Sequence, residues 1–327
     1  MKNKNIVITG GAGFIGSHLV EKLFANNSVY VIDNLSNGNL KNLKNFKKNI
    51  KFFKKDINEI SELELPKKID ILFHLAALAD VVPSIENPRE YFISNVKGTL
   101  EILEFARKKN IKKIVYAASA SCYGIIKKHP TSENDLLDPQ YPYALTKKMG
   151  EDLMLHYNKV YKMNITSLRL FNVFGTRSRT SGTYGAVFGV FLAQKIAKKK
   201  YTIIGNGRQS RDFTYVTDVC DAFLEAAQSK KTNGKIYNVG TGKSRSVNEL
   251  VKLLGGEKEY IPDRPGEPKK TVANIYKIKK DLGWSPKVTF KNGVNLLLKN
   301  INYWDRAPLW TAKKISKATK LWFKYLK

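Results

Sequence analysis

Residues 5–16 read Asn5-Ile6-Val7-Ile8-Thr9-Gly10-Gly11-Ala12-Gly13-Phe14-Ile15-Gly16. The unbroken run Ile6-Val7-Ile8 predicts a strand covered on both faces, because no polar residue alternates with it. The glycines that follow permit a tight turn. A helix opening at Phe14 then aims its N-terminal amides, with those of the Gly10–Gly16 loop, at a pyrophosphate. The next such run, Val29-Tyr30-Val31-Ile32, ends at Asp33, seventeen residues after Gly16. A carboxylate there accepts hydrogen bonds from adenosine ribose hydroxyls and repels a 2′-phosphate, so NAD is favoured over NADP. A mononucleotide or S-adenosylmethionine site on a similar fold is the rival reading.

Outward from this unit, β-branched runs alternate with helical patterns, as in a parallel sheet with crossover helices. The strands expected are Asn5–Thr9, Ser28–Asp33, Ile50–Phe53, Ile69–Leu75, Lys113–Ser119 and Ile165–Leu170, with helices near Phe14–Ala25, Pro88–Lys109 and Pro142–Tyr161. The fold class is therefore α/β: a Rossmann-type doubly wound parallel sheet over residues 1–170. After residue 170 the loops turn rich in Gly, Pro, Ser and Arg, which predicts a smaller, interleaved substrate-binding lobe over 171–302, with parts of 212–240 packing back on the sheet. Asp56-Ile57, after the third strand, is placed to flank the adenine. Leu75, Ala76 and Ala77 are small or apolar residues past which a cofactor can lie. His74 reads as a satisfied core histidine.

Residues 303–327 differ in character. Leu309, Trp310, Ile315, Leu321, Trp322 and Tyr325 suggest an apolar stripe ringed by Lys313, Lys314, Lys317, Lys320 and Lys324. A basic amphipathic helix of this kind suits a membrane surface or a protein surface; docking on its own domain or across a dimer is the favoured reading.

The net charge of +29 raises the question of nucleic acid, yet only ten of the 57 basic residues are Arg and the lysines are spread through every segment. No reader motif accompanies them, and no nucleic-acid partner is expected. Five of the arginines, Arg177, Arg179, Arg208, Arg211 and Arg264, fall in the segment assigned to substrate. Two cysteines, Cys122 and Cys220, make neither a disulfide framework nor a metal site, and His18, His129 and His156 show no ligand spacing. No apolar run reaches the roughly 18 residues of a membrane span. The N-terminus goes from Met1-Lys2-Asn3-Lys4 into a strand too short for a signal segment, so a cytoplasmic location is expected.

The chemistry is expected at Tyr143-Ala144-Leu145-Thr146-Lys147. Residues four apart on a helix share a face, and an ammonium beside a phenol favours the phenolate, lowering its pKa from about 10. Such a phenol can take a proton from a sugar hydroxyl. The same spacing recurs at Tyr123…Lys127 and Tyr276…Lys280; context selects Tyr143, which follows the nucleotide-binding unit and the Ser119-bearing strand.

These motifs, in order, resemble the extended short-chain dehydrogenases/reductases, specifically the NAD-dependent sugar-nucleotide epimerase/dehydratase group. The resemblance runs over roughly residues 5–300 and rests on Thr9–Gly16, Asp33–Gly38, His74–Ala77, Asn95–Thr99, Val115–Gly124, Tyr143…Lys147, Leu168–Gly175, Arg211-Asp212-Phe213, Tyr237–Gly242 and Arg264–Glu267. It implies Tyr143 as acid/base, Ser119 sharing the substrate-hydroxyl hydrogen bond, and Lys147 binding the nicotinamide ribose. It adds Asn34, Asn37, Gly38, Ala79 and Asn95 to the cofactor residues. Ser121, Asn172, Arg211, Arg264 and Glu267 are implied as substrate contacts. The 4,6-dehydratases of the group carry Asp-Glu after the catalytic Ser/Thr; here Ala120-Ser121 stand there, which implies a 4-epimerase. Small Thr271 implies room for a 2-acetamido group beside glucose/galactose. Arg179 suits the carboxylate of UDP-glucuronate, the alternative substrate, although Asn172 stands where those enzymes carry Thr. Ile204 replaces the aromatic that many relatives set against uracil. Net oxidoreduction or dehydration on the same scaffold is the other alternative, and the resemblance implies a homodimer built on the helices near Pro88–Lys109 and Pro142–Tyr161.

Overall fold

A computed structural model describes residues 1–178 and 187–326. Seven strands form one parallel sheet. They are β1 (Asn5–Thr9), β2 (Ser28–Ile32), β3 (Ile50–Phe53), β4 (Ile71–His74), β5 (Ile114–Ser119), β6 (Ile165–Leu170) and the strand Lys235–Val239. Their spatial order is Lys235–Val239, β6, β5, β4, β1, β2, β3. The order reverses between β1 and β4, so helices before and after the reversal cover opposite faces and leave a crevice at the carboxyl ends of these two strands. The glycine loop after β1 and residues 75–79 after β4 flank that crevice.

The register explains the apolar runs. Ile6 and Ile8 face a core with Leu19, Val20 and Phe73, whereas Val7 faces the opposite core with Leu72, Ile102 and Ile114. Both faces of the strand are dry, which is why the sequence does not alternate.

The helix Pro142–Tyr161 has the bounds expected from sequence. A buried ion pair pins it to β6: Arg169 Nη2 donates to Glu151 Oε1 at 2.6 Å, and Ser167 Oγ donates to Glu151 Oε2 at 2.6 Å. Arg169 Nη1 also donates to the Tyr123 hydroxyl at 2.9 Å. Such a pair stabilises little against an apolar equivalent, but removing one partner costs about 3–5 kcal/mol, so it fixes the helix register firmly.

The long helix expected near Pro88–Lys109 differs. It is a turn at Pro88–Tyr91, a π-helical stretch Phe92–Lys97 and an α-helix Gly98–Lys108. The widened turn carries Asn95, whose amide donates to Leu78 O at 2.9 Å and to Thr146 Oγ1 at 3.0 Å while its Oδ1 accepts from Leu78 N at 2.8 Å. Pattern reading sees helical spacing and misses the extra residue, which serves a side chain rather than a period.

The terminal segment is not one stripe-bearing helix. It forms two short helices, Ala312–Ala318 and Lys320–Tyr325, which meet at Thr319, where the hydroxyl donates back to Ile315 O at 2.9 Å. Trp304, Ile315 and Trp322 are buried on the body of the protein, Leu309, Trp310 and Leu321 are half-buried, and Tyr325 is exposed with the lysines. Among the described residues no helix is long and apolar enough to cross a membrane.

Two buried histidines set an acid limit on stability. His74 is held by Thr9 Oγ1 at Nδ1 (2.8 Å) and Thr99 Oγ1 at Nε2 (3.0 Å). The Thr99 hydroxyl donates onward to Asn95 O at 2.6 Å, which assigns the neutral ring with its proton on Nε2. Burial pushes His74 down from 6.5 to about 3, with the Lys147 ammonium adding to the effect, and pushes His18 down to about 4. Both folded values lie below the unfolded one, so below pH 6.5 the unfolded chain binds more protons. Stability is therefore fully present above that pH and is lost as pH falls toward about 4, by up to roughly 1.4 kcal/mol per pH unit per histidine. Melting temperature is expected to fall on acidification from about pH 7 to 5, with His74→Gln flattening the slope. An unchanged melting temperature over that range contradicts the assignment.

Candidate active site

A cavity of about 390 Å³ opens over the crevice. Its lining includes Gly10, Gly13, Phe14, Ile15 and Gly16 from the glycine loop, then Asp33, Asn34, Asn37 and Gly38. Asp56 and Ile57 come from the end of β3, and Leu75, Ala76, Ala77 and Ala79 from the end of β4. Asn95 lies behind this wall and holds the chain at Leu78 through the bonds above.

The glycines are needed for space. A Cβ on Gly10, whose φ is +70°, would stand 2.8 Å from Ala76 N, and one on Gly16 would collide with Gly10 O. Asp33 accepts from Ala12 N at 2.9 Å and Leu35 N at 2.8 Å. Burial raises its carboxyl and these amides oppose the rise. A Cβ at Gly38 would stand 2.6 Å from Asp33 Oδ1, so glycine there keeps the carboxylate open to a ligand. A helix N-terminus capped by Gly13, a carboxylate at the second strand end and small residues at the fourth form a cradle that fits a dinucleotide.

At the end of β5, Ser119 Oγ and Ser121 Oγ lie 2.8 Å apart, and both hydroxyls hydrogen-bond the Tyr143 phenol. Burial pushes that phenol up to about 12, and the Ser119 bond works against the rise. The expectation that Lys147 brings it toward neutrality is not met. The Lys147 ammonium sits 4.3 Å from the Tyr116 ring centroid instead, and burial pushes it down to about 8. Desolvation is the largest cause for both groups, because both are taken out of water together. Tyr116, which sequence pattern does not single out, gives the ammonium a π face.

Of the other Tyr/Lys pairs, Tyr276…Lys280 is on the surface, and Tyr123 is buried with its hydroxyl donating to Asn238 Oδ1 at 2.7 Å. Neither belongs to the site. Cys122 is buried, with its thiol pushed up to about 12 by burial.

The arginines do not converge as a group. Arg177 turns back to Glu21 (2.6 Å) and Ser17 O, and Arg208 is exposed. Arg179 lies outside the described residues. Arg211 and Arg264 do meet, on one carboxylate: Arg211 Nη2 donates to Glu267 Oε2 at 3.3 Å and Arg264 Nη1 to Glu267 Oε1 at 3.0 Å. Thr271 Oγ1 donates to Asn172 Oδ1 at 3.3 Å, bringing those two residues together. Two guanidiniums around one anionic group make a surface that a diphosphate can share or displace.

Sequence reasoning also missed a wall of this cavity. Phe174, Phe188 and Val190 line it with Ala307, Pro308 and Trp310 from the terminal segment. Phe174 belongs to the motif Leu168–Gly175, but Phe188, Val190 and the terminal residues carry no sequence signal for such a role; only the chain path shows it.

Comparison with known proteins agrees with this geometry. Residues 7–297 match the family model described as GDP-mannose 4,6 dehydratase. The chain belongs to this sugar-nucleotide epimerase/dehydratase family. Within it, a putative UDP-glucose 4-epimerase of Methanocaldococcus jannaschii is 39% identical over 299 residues, covering 88% of this chain and 95% of that protein. The UDP-glucose 4-epimerase of Thermotoga maritima, solved with UDP-glucose, superposes with a TM-score of 0.84 at 34% identity, covering 92% of this chain and 99% of that one. The UDP-glucuronic acid 4-epimerase of Bacillus cereus, solved with UDP-glucuronic acid and NAD, gives 0.84 at 30% identity over 91% and 99%. For an epimerase/dehydratase, the residues after Ser119 are informative, and Ala120 and Ser121 bring no carboxyl to the phenol.

Proposed function

We propose that this protein is an NAD-dependent 4-epimerase of a UDP-hexose. The observation that carries the reading is the Ser119–Ser121–Tyr143 hydroxyl cluster at the carboxyl end of β5, next to a cradle shaped for a dinucleotide. The UDP part is supported by the substrates named for its relatives. The catalytic residues are Ser119, Tyr143 and Lys147. Gly10 to Gly16, Asp33 and the residues after β3 and β4 hold the cofactor. Ser121, Asn172, Arg211, Arg264, Glu267 and Thr271 contact substrate.

When bound, NAD supplies the acceptor, and afterwards the donor, of one hydride. The ionised fraction of Tyr143 takes the 4-hydroxyl proton on Oη as C4 becomes a carbonyl, and Ser119 Oγ shares that hydrogen bond. The 4-keto sugar turns over in the pocket so that the opposite face of C4 is reduced, and Tyr143 returns the proton to O4. Lys147, its ammonium pushed down to about 8 by burial, provides a donor toward a ribose hydroxyl. Glu267 gathers Arg211 and Arg264 and can accept from a sugar hydroxyl.

Residues 1–170 act as the nucleotide-binding domain and 171–302 as the substrate lobe in this reading, in a cytoplasmic enzyme. The exposed Phe92, Ile93, Leu100, Leu145 and Val160 on the helices near Pro88–Lys109 and Pro142–Tyr161 supply the face of a homodimer. Light scattering that returns the monomer mass at micromolar concentration contradicts the dimer.

Incubation with UDP-glucose, UDP-N-acetylglucosamine and UDP-glucuronate, followed by NMR, tests the function. The C4 epimer of at least one is expected, without accumulating NADH. Conversion of none, by protein that retains NAD, refutes it.

A further inference from the structure

Beyond residue 297, where the family match ends, the chain continues to the substrate side of the site. The helix Lys320–Tyr325 packs against the helix Val81–Glu86 of the nucleotide-binding half, and its neighbour Leu326 meets Gly266 of the substrate lobe. Trp322 is the anchor, only 2% exposed. Its indole Nε1 donates to Pro265 O at 2.7 Å, which ties the terminal helix to the loop that carries Arg264. The Arg264 guanidinium carbon lies 5.6 Å from the indole centroid, within cation–π reach. The Tyr141 ring, two residues before the proposed acid/base, flanks the same indole at 6.0 Å between centroids.

The guanidinium is thus fixed on two sides. The indole touches its neighbourhood on one, and Glu267, shared with Arg211, holds its Nη1 on the other. A planar guanidinium recognises phosphate only in a defined orientation, and an arginine side chain left to its own rotamers loses that advantage. This support comes from a segment beyond residues 7–297, the part of the chain that matches the family model.

We propose that Trp322 is a positioning residue for the nucleotide-diphosphate site, acting by holding Arg264 toward the phosphates. The inference rests on the UDP-hexose reading above. The terminal segment thereby contributes to affinity for the nucleotide as well as to packing, through one named contact.

Calorimetric titration of the full-length protein with UDP tests this as a double-mutant cycle. Trp322→Ala is expected to weaken UDP binding about tenfold. The same substitution in an Arg264→Ala background is expected to change it by less than about twofold, because the residue it supports is already gone. Trp322→Phe, which keeps an aromatic face but loses the pyrrole ring with its N–H, is expected near threefold, and it carries the same cycle if Trp322→Ala does not fold. An equal loss in both backgrounds, or no loss in either Trp322 variant, overturns the proposal. Turnover of UDP-hexoses by the wild type is read separately. A wild type that shows this coupling yet epimerises no sugar refutes the catalytic reading while leaving the role of Trp322 intact.

Discussion

Tyr143→Phe is expected to lower 4-epimerisation by about a thousandfold or more while leaving NAD content and melting temperature near wild type. The substitution removes one oxygen and keeps the ring, which packs edge-on against Tyr91 at 6.4 Å between centroids. The Ser119 and Ser121 hydroxyls remain and can still bond each other, so no charge is stranded. The loss is therefore in proton transfer. The wild-type rate is also expected to climb from about pH 6 to 9, because burial keeps the phenol protonated and its ionised fraction grows with pH until another step limits. The Phe variant should lose that dependence. A residual rate within tenfold of wild type would remove Tyr143 from the acid/base role.

Deleting residues 303–327 is expected to cost on the order of 5–9 kcal/mol, from re-exposure of the fully buried Trp304, Ile315 and Trp322 and the surface beneath them. Against a typical total of 5–15 kcal/mol this is severe. It corresponds to a fall of roughly 10–20 °C in melting temperature, or to protein recovered only as aggregate. The lysines of the segment, Lys313, Lys314, Lys317, Lys320 and Lys324, are exposed around these anchors and contribute solubility rather than packing. An unchanged melting temperature together with loss of binding to anionic vesicles would show instead that the segment serves a membrane surface.

The parts of the molecule that a reader of the sequence can see are those dictated by local backbone needs. The strand–glycine–helix unit around Gly10–Gly16, the carboxylate at Asp33 and the bounds of Pro142–Tyr161 are each fixed by neighbours a few residues away, where period and glycine usage report directly on conformation. The same holds for the dinucleotide cradle, assembled from strand ends whose positions follow from the sheet order.

What escaped is governed by partners far along the chain. Five arginines shared a segment, yet Arg177 found Glu21 across the structure and only Arg211 and Arg264 met at Glu267. Lys147 was paired on paper with Tyr143 because helical spacing puts them on one face; the deciding neighbour is Tyr116 on β5. The π-helical turn at Phe92–Lys97 is invisible to a period, and Trp322 became part of the site only because the terminal segment reaches Pro265. In each case a tertiary contact chose among options that local pattern left equal.

In the proposed reaction one hydride leaves C4 of the sugar and returns to that same carbon without meeting water. Supplying UDP-hexose deuterated at C4 in ordinary water, and following both epimers by NMR, measures this directly. The product epimer is expected to retain deuterium at C4 through many turnovers, with no hydrogen taken from solvent. Replacement of the C4 deuterium by solvent hydrogen, in step with epimer formation, would contradict it.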